Sequence, residues 1–345
     1  MTRPSLSSAV ITWQRQHGRH GLPWQGTRDP YRVWLSEVML QQTQVSTVLG
    51  YYARFLARFP DVQALAAAPL DDVLALWSGL GYYSRARYLH RCAQAVVAQH
   101  GGQFPASSAV LATLPGIGRS TAAAIAAFCF GERAAILDGN VKRVLTRALG
   151  FEGDLSSSVQ EKRLWAEAEA VLPARDVDIY TQGLMDLGAT VCNARQPACP
   201  LCPLASLCVA HAAGTPERFP VKTKRLKRGR RQHALLWLRQ DQRLLLQQRP
   251  EKGVWAGLWS LPEFDSAQVL QERVASWPGQ GAWLPTIQHA LTHFDWTLQP
   301  LVWTLPAKTT LPAALRETVS QGRWVGEEEA LAMGLPAPIR RLLER

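Results

Sequence analysis

Two groups of residues in this chain have types and spacing suited to chemistry. The first is Cys192, Cys199, Cys202 and Cys208, spaced C-x6-C-x2-C-x5-C within seventeen residues. Four thiolates so close can hold a zinc ion or an iron–sulfur cluster. Structural zinc sites usually show two close pairs, and this stretch has one. Its uneven spacing, stiffened by Pro197, Pro200 and Pro203, also lets a single compact loop wrap a cube-shaped cluster. The other cysteines, Cys92 and Cys129, lie in apolar helical stretches and suit buried small hydrophobes. The second group is a pair of acids. Glu37 lies on a helical pattern beside Val33, Trp34 and Leu40. An acid beside an apolar stripe can have a raised pKa, which suits a proton donor. Asp138 precedes the helical pattern Val141 to Leu149, where a carboxylate caps the helix and could also face a developing positive charge. A solvated helix glutamate and a plain helix cap are the alternatives for the pair.

The elements that must position these groups are mainly helical up to about residue 218. Apolar residues recur at helical spacing in Val33–Leu40, Val62–Trp77, Leu89–Val97 and Thr121–Phe130. Asp29 and Pro30 read as an N-cap and first-turn proline opening the helix that carries Glu37. Leu114-Pro115-Gly116-Ile117-Gly118 separates two helical segments. Its glycines permit close approach to a ligand, and the helix beginning near Arg119 offers unpaired N–H groups to an anion. Such a hairpin can hold a DNA phosphate without reading sequence, though it also suits an ordinary helix–helix turn. Val221 to Arg231 then holds seven Lys or Arg in eleven residues and no acid, a basic linker. Beyond it the pattern is α+β. His233–Arg239 and Arg243–Arg249 form a plausible hairpin around Gln240-Asp241-Gln242, Gln299–Leu305 another strand, and Pro336–Leu343 a closing helix. Eight of the thirteen tryptophans lie in this half, enough to suggest a second core.

The 345 residues suit two domains, and 47% apolar content excludes a disordered chain. The net charge of +11 suggests a polyanionic partner. No run is long enough to span a bilayer, and the first twenty residues lack a signal-peptide core. The expected location is the cytoplasm, at the nucleoid if the host is bacterial, where thiols stay reduced.

In the stretches Leu22-Pro23-Trp24-Gln25, Trp34 to Val45 (WLSEVMLQQTQV), Gly79 to Tyr83 (GLGYY), Leu114 to Thr121 (LPGIGRST), Ile136 to Val144 (ILDGNVKRV), Met185-Asp186-Leu187-Gly188 and the four cysteines, the chain resembles the MutY-type adenine DNA glycosylases of the helix-hairpin-helix superfamily. The match runs in order over nearly all of residues 20 to 210. It implies a mainly α N-terminal glycosylase domain, 1–218, with a 4Fe–4S cluster in the loop 192–208. Residues 219–231 are the linker, and 232–345 resemble the family's Nudix-like lesion-recognition domain through Gly253 to Pro262 (GVWAGLWSLP). The Nudix catalytic pattern is missing, so no nucleotide hydrolysis is expected. The implied reaction is hydrolysis of the N-glycosidic bond of adenine mispaired with 8-oxoguanine or G in double-stranded DNA, by a monomer.

The resemblance gives Glu37 the role of proton donor to N7 of the base and Asp138 that of stabilising an oxocarbenium-like sugar. This is the two-carboxylate logic of glycoside hydrolysis applied to a flipped-out base. It places Gln41, Gln42, Tyr82, Gly116, Gly118 and Ser120 at DNA, with Gln42 and Tyr82 wedged into the stack. Leu22, Trp24 and Gln182 fall around the extruded adenine, and Thr292 with His293 at the lesion. Leu291 and Thr292 depart from the family's Phe-Ser-His loop, and threonine keeps the hydroxyl. Serine at 120, where bifunctional relatives carry a Schiff-base lysine, implies a monofunctional enzyme. Rival readings are a thymine or uracil mismatch glycosylase, an endonuclease III-like glycosylase–lyase, and a non-enzymatic iron–sulfur DNA-binding protein. Cutting the chain after about Arg218 is expected to leave a folded glycosylase.

Overall fold

A computed structural model describes residues 5–224, 227–307 and 313–344. The chain divides into two compact units, residues 5–66 with 91–224, and Ala67–His90 with 227–344. The helices of the first half are α1 Leu6–His17, α2 Pro30–Leu40, α3 Val45–Arg58, α4 Val62–Ala67, α5 Leu70–Trp77, α6 Ser84–His100, α7 Ser108–Leu111, α8 Arg119–Phe130, α9 Gly139–Leu149, α10 Ser158–Ala170, α11 Val177–Thr190 and α12 Val209–Ala212. No helix among the described residues is long and apolar enough to cross a membrane.

Local chemistry sets several of these boundaries. Asp29 caps α2 by accepting from the Tyr31 N–H at 2.9 Å, with Pro30 in the first turn. Asp138 caps α9, its Oδ1 accepting from the Val141 N–H at 2.8 Å. The expected helical run Val62–Trp77 is two helices, α4 and α5, because Pro69 cannot donate in a helix interior. The first unit's core joins Val10 of α1, Ala123, Ala124 and Ala127 of α8, Val141, Val144 and Leu145 of α9, and Tyr180, Leu184 and Leu187 of α11. Alanines on α8 let its neighbours approach closely. Gly183 does the same at α1, where a Cβ would meet Val10 Cγ1 at 2.6 Å.

Among its described residues the second unit carries eight strands: β1 Gly229–Gln240, β2 Arg243–Gln248, β3 Trp259–Ser260, β4 Glu263–Phe264, β5 Gln280–Trp283, β6 Ile287–Ala290, β7 Phe294–Thr304 and β8 Gly322–Gly326. They form one mixed sheet in the order β3-β2-β1-β7-β5, with β4 on β1, β6 on β7 and β8 on β2. β1 and β2 are the expected hairpin. Arg239 pairs with Leu244, and Asp241 and Gln242 turn the chain at φ 47° and 64°. β1 and β7 run parallel from Gly229↔Phe294 to Arg239↔Thr304, a pairing that local pattern does not announce.

The compact units do not follow a linear boundary at residue 218, because Ala67–His90 groups with the C-terminal half. Leu74 is fully buried. A Cβ on Gly257 would lie 3.6 Å from its Cδ1, and one on Gly334 3.0 Å from its Cβ. The Leu335 carbonyl accepts from Ser78 Oγ at 2.8 Å and from the Tyr83 hydroxyl at 3.2 Å. Arg87 Nη1 donates to the Ala256 carbonyl at 2.7 Å. Asp71 accepts from Gln248 and from the Trp259 indole. Of these partners Ala256, Gly257 and Trp259 belong to the Gly253–Pro262 stretch that the sequence singles out.

Candidate active site

The first unit contains a cleft of about 1480 Å³. Leu22, Trp24, Glu37, Gln41, Gln42, Ser120, Asp138 and Gln182 all line it. Five separate stretches of chain therefore deliver these eight sequence-predicted residues to one place, while Gly116, Gly118 and the four cysteines of the same unit do not line it. Trp24 is also a core residue, 8% exposed and packed edge-on against Tyr52 at 5.3 Å, so only its rim meets the cleft.

Glu37 projects from a helix whose Val33, Trp34, Leu35 and Val38 are buried. Burial pushes its carboxyl up to about 8, and the Asp138 carboxyl adds to the rise. At neutral pH this group holds its proton. Asp138 is itself raised by burial, but the N–H groups of Val141 and Asn140 and the charges of Arg143 and Lys142 pull it back. Two neighbouring carboxyls with different surroundings can have their acidities set apart. Asp138 is thus helix cap and cleft-lining acid at once, at a helix start whose dipole favours the ionised form.

Ser120 supports this arrangement from α8. Its Oγ accepts from the Leu137 N–H at 3.0 Å, immediately before Asp138. Ser120→Ala leaves that N–H without its partner. The expected cost is about 1–3 kcal/mol, checked by urea unfolding, with slower single-turnover reaction because the Asp138 backbone loosens.

The hairpin before α8 is built as its glycines suggest. Gly116 turns at φ 76°, and Ile117 anchors the loop at 4% exposure. Gly118 has ordinary φ and open space where a Cβ would stand, so neither strain nor packing requires glycine there. As N-cap of α8 it makes no side-chain capping bond, and the start of a helix offers its first N–H groups to an anion. Gln42 and Tyr82 both adopt left-handed backbone, at φ 56° and 48°. That conformation is costly for such residues and concentrates at functional positions. Tyr82 belongs to the second unit, 44% exposed, with its hydroxyl 3.4 Å from Thr292 Oγ1. Thr292 and His293 form the exposed turn between β6 and β7, closed by the Leu291 N–H donating to the Phe294 carbonyl at 2.9 Å.

The four cysteines lie near enough to influence one another electrostatically. Among the described residues no three His, Cys, Asp or Glu side chains gather tightly enough for a single ion. Burial pushes the Cys202 and Cys208 thiols up, and nearby donors offset part of the rise. Arg147, only 2% exposed, donates from Nη1 to Cys192 Sγ at 3.3 Å. The Leu204 N–H faces Cys202, and those of Ala210 and His211 face Cys208. Arg147 also grips the loop through the carbonyls of Asn193 at 2.6 Å and Ala194 at 3.0 Å, and the segment after it through that of Pro216 at 2.7 Å. Arg143 donates to the Cys192 and Gly188 carbonyls and to Asn140. Sequence reasoning missed both arginines. Their signal was two cations four residues apart on the helix that Asp138 opens.

Comparison with known proteins adds the lineage. Residues 35–169 match the HhH-GPD superfamily of base excision DNA repair proteins, and residues 233–345 match the NUDIX domain. The chain is 34% identical to the adenine DNA glycosylase of Buchnera aphidicola subsp. Baizongia pistaciae, over all of this chain and 97% of that one. It is 34% identical to the human adenine DNA glycosylase, over 94% of this chain and 71% of that one. Among solved structures it is similar to a thermostable thymine-DNA glycosylase, with TM-score 0.54 and 29% identity. That match covers 60% of this chain and 95% of the other. A trapped endonuclease III–DNA covalent intermediate shares the fold at TM-score 0.51 and 24% identity, covering 60% and 94%.

Proposed function

Because the chain belongs to the adenine DNA glycosylase family within the HhH-GPD base excision repair superfamily, we propose that it removes adenine mispaired with 8-oxoguanine or G from double-stranded DNA, leaving an abasic site. The observation that carries this reading is the convergence of Glu37 and Asp138 on one cleft, with Glu37 held protonated at neutral pH. Adenine leaves poorly as an anion. Glu37 supplies a proton to the ring nitrogen N7, so the base departs neutral. Asp138, the ionised partner, faces the positive charge that grows on the sugar as the bond breaks. Water then adds to the sugar carbon, its proton passing to the Glu37 carboxylate left by the first step.

The base must leave the stack to reach these acids. By the family resemblance Gln42 and Tyr82 would each enter the space it vacates, and Gln41 would contact the mispair. Gly116, Gly118 and the α8 N-terminus hold a backbone phosphate, and Leu22, Trp24 and Gln182 surround the extruded adenine. Thr292 and His293 read the base opposite. Ser120 carries no amine, so no Schiff base forms and the strand stays intact. The working form is a monomer, acting where chromosomal DNA lies, in the cytoplasm.

Cys192, Cys199, Cys202 and Cys208 would hold a 4Fe–4S cluster. When bound, that group pins the loop 192–208 and adds local charge for DNA binding. Protein purified without oxygen is expected to be yellow-brown, with about four iron atoms per chain; one zinc and no iron, by metal analysis, would contradict this. The activity itself is tested by base release from duplexes with A opposite 8-oxoguanine, A opposite G and T opposite G. Release from the first two supports the reading. Release of thymine alone favours a thymine mismatch glycosylase, and no release favours a DNA-binding protein.

A further inference from the structure

The Met185-Asp186-Leu187-Gly188 stretch has no part in the chemistry so far, yet Asp186 is completely buried on α11. A buried carboxylate needs its lone pairs matched, and this one is matched from two sides. Oδ1 accepts from Arg19 Nε at 2.8 Å, Arg19 Nη2 at 2.5 Å and Gln182 Nε2 at 2.9 Å. Oδ2 accepts from the Arg19 backbone N–H at 2.9 Å. Arg19 and Gln182 line the cleft. Asp186 thus ties the segment leading to Leu22 and Trp24 to the helix that carries Gln182.

The chemistry of the amide makes this more than a brace. A carboxylate only accepts, so Gln182 can meet it only through its NH2 end. With Nε2 committed to Asp186, the acceptor Oε1 is the end left for the cleft. We propose that Asp186 is a positioning residue for base selection, holding Gln182 so that its carbonyl oxygen meets the extruded base. This rests on the adenine reading above. A base presenting an N–H there, such as the exocyclic amine of adenine, is matched. Hypoxanthine, the same ring with an oxygen in that place, sets two acceptors against each other and leaves both unsatisfied.

The test compares single-turnover release of adenine and of hypoxanthine placed opposite G. In Asp186→Asn one acceptor becomes a donor. With its NH2 in place of Oδ1 the new amide opposes the N–H groups of Arg19 and Gln182, and with it in place of Oδ2 it opposes the Arg19 backbone N–H and leaves Gln182 only a neutral acceptor, so the hold on Gln182 weakens either way. The adenine-to-hypoxanthine ratio is expected to fall about tenfold, one hydrogen bond's worth. The double variant Asp186→Asn, Gln182→Glu restores a donor facing an acceptor and again offers oxygen to the cleft, so the ratio should recover. Equal slowing on both bases, with the ratio unchanged, overturns the proposal and leaves Asp186 a structural brace. Should Asp186→Asn not fold, Gln182→Leu keeps the Arg19–Asp186 pair whole; its ratio must collapse, and an unchanged ratio overturns the proposal equally. Failure of the unaltered protein to release adenine would overturn the functional reading, and this inference with it. Adenine release with an unchanged ratio overturns the role of Asp186 alone.

Discussion

Glu37→Gln is expected to lower adenine release by about 10³-fold or more, the upper range for losing a general acid. Binding to the mismatched duplex should be largely preserved. The amide keeps the shape of the side chain and cannot hand over a proton. Burial and the neighbouring Asp138 place the Glu37 carboxyl at about 8, so the neutral acid is present at pH 7 and is lost as pH rises through 8. Base release by the unaltered protein should therefore hold level through neutrality and decline above pH 8. Asp138 acts as the anion and is raised by burial, so the acid limb should begin above the usual aspartate range. Single-turnover rates across pH, for both proteins, check the assignment. Normal turnover by the variant, or a rate that rises through pH 8, would remove Glu37 from the role of acid.

Truncation after Arg218 is expected to do more damage than the linear arrangement of motifs suggests. Both acids, the glycine hairpin and all four cysteines precede the cut. The cut nevertheless strips Ala67–His90 of its partners. Ser78, Tyr83 and Arg87 lose the carbonyls of Leu335 and Ala256, and Leu74 loses its cover at Gly257 and Gly334. Uncovering one leucine costs about 1.5–3 kcal/mol. That energy corresponds to a roughly tenfold to hundredfold loss of amide protection in residues 67–90. Tyr82 sits in this segment, so adenine release opposite plain G should fall as well. The preference for 8-oxoguanine should fall further, because Thr292 and His293 leave with the second unit. Hydrogen exchange and single-turnover release on both duplexes, for truncated and intact chains, measure the two effects separately. Unchanged protection in 67–90 would show that this segment stands without the C-terminal half. Equal slowing on both duplexes would show that half to be a general DNA-affinity module rather than a lesion reader.

Features that depend on near neighbours could be read from the residues alone. Asp29 with Pro30, and Asp138, announce the starts of α2 and α9 because a cap needs only its own side chain and the next few N–H groups. The β1–β2 hairpin was legible from two apolar runs around a polar turn. The Gly116 turn and the cysteine loop were legible from residue type and spacing. Packing decided the rest. Glu37 looks like a solvated helix acid until α8, α9 and α11 close around it; its raised pKa is a property of that enclosure. The parallel β1–β7 pairing joins distant segments through backbone groups, which leave no trace in side-chain pattern. Ala67–His90 reads as part of a continuous helical half, and only its packing places it with the C-terminal unit. Asp186 was legible only as part of a matching stretch, and Arg147 only as a charge. Burial made each one costly unless fully hydrogen-bonded, and the partners that satisfy them come from elsewhere in the chain.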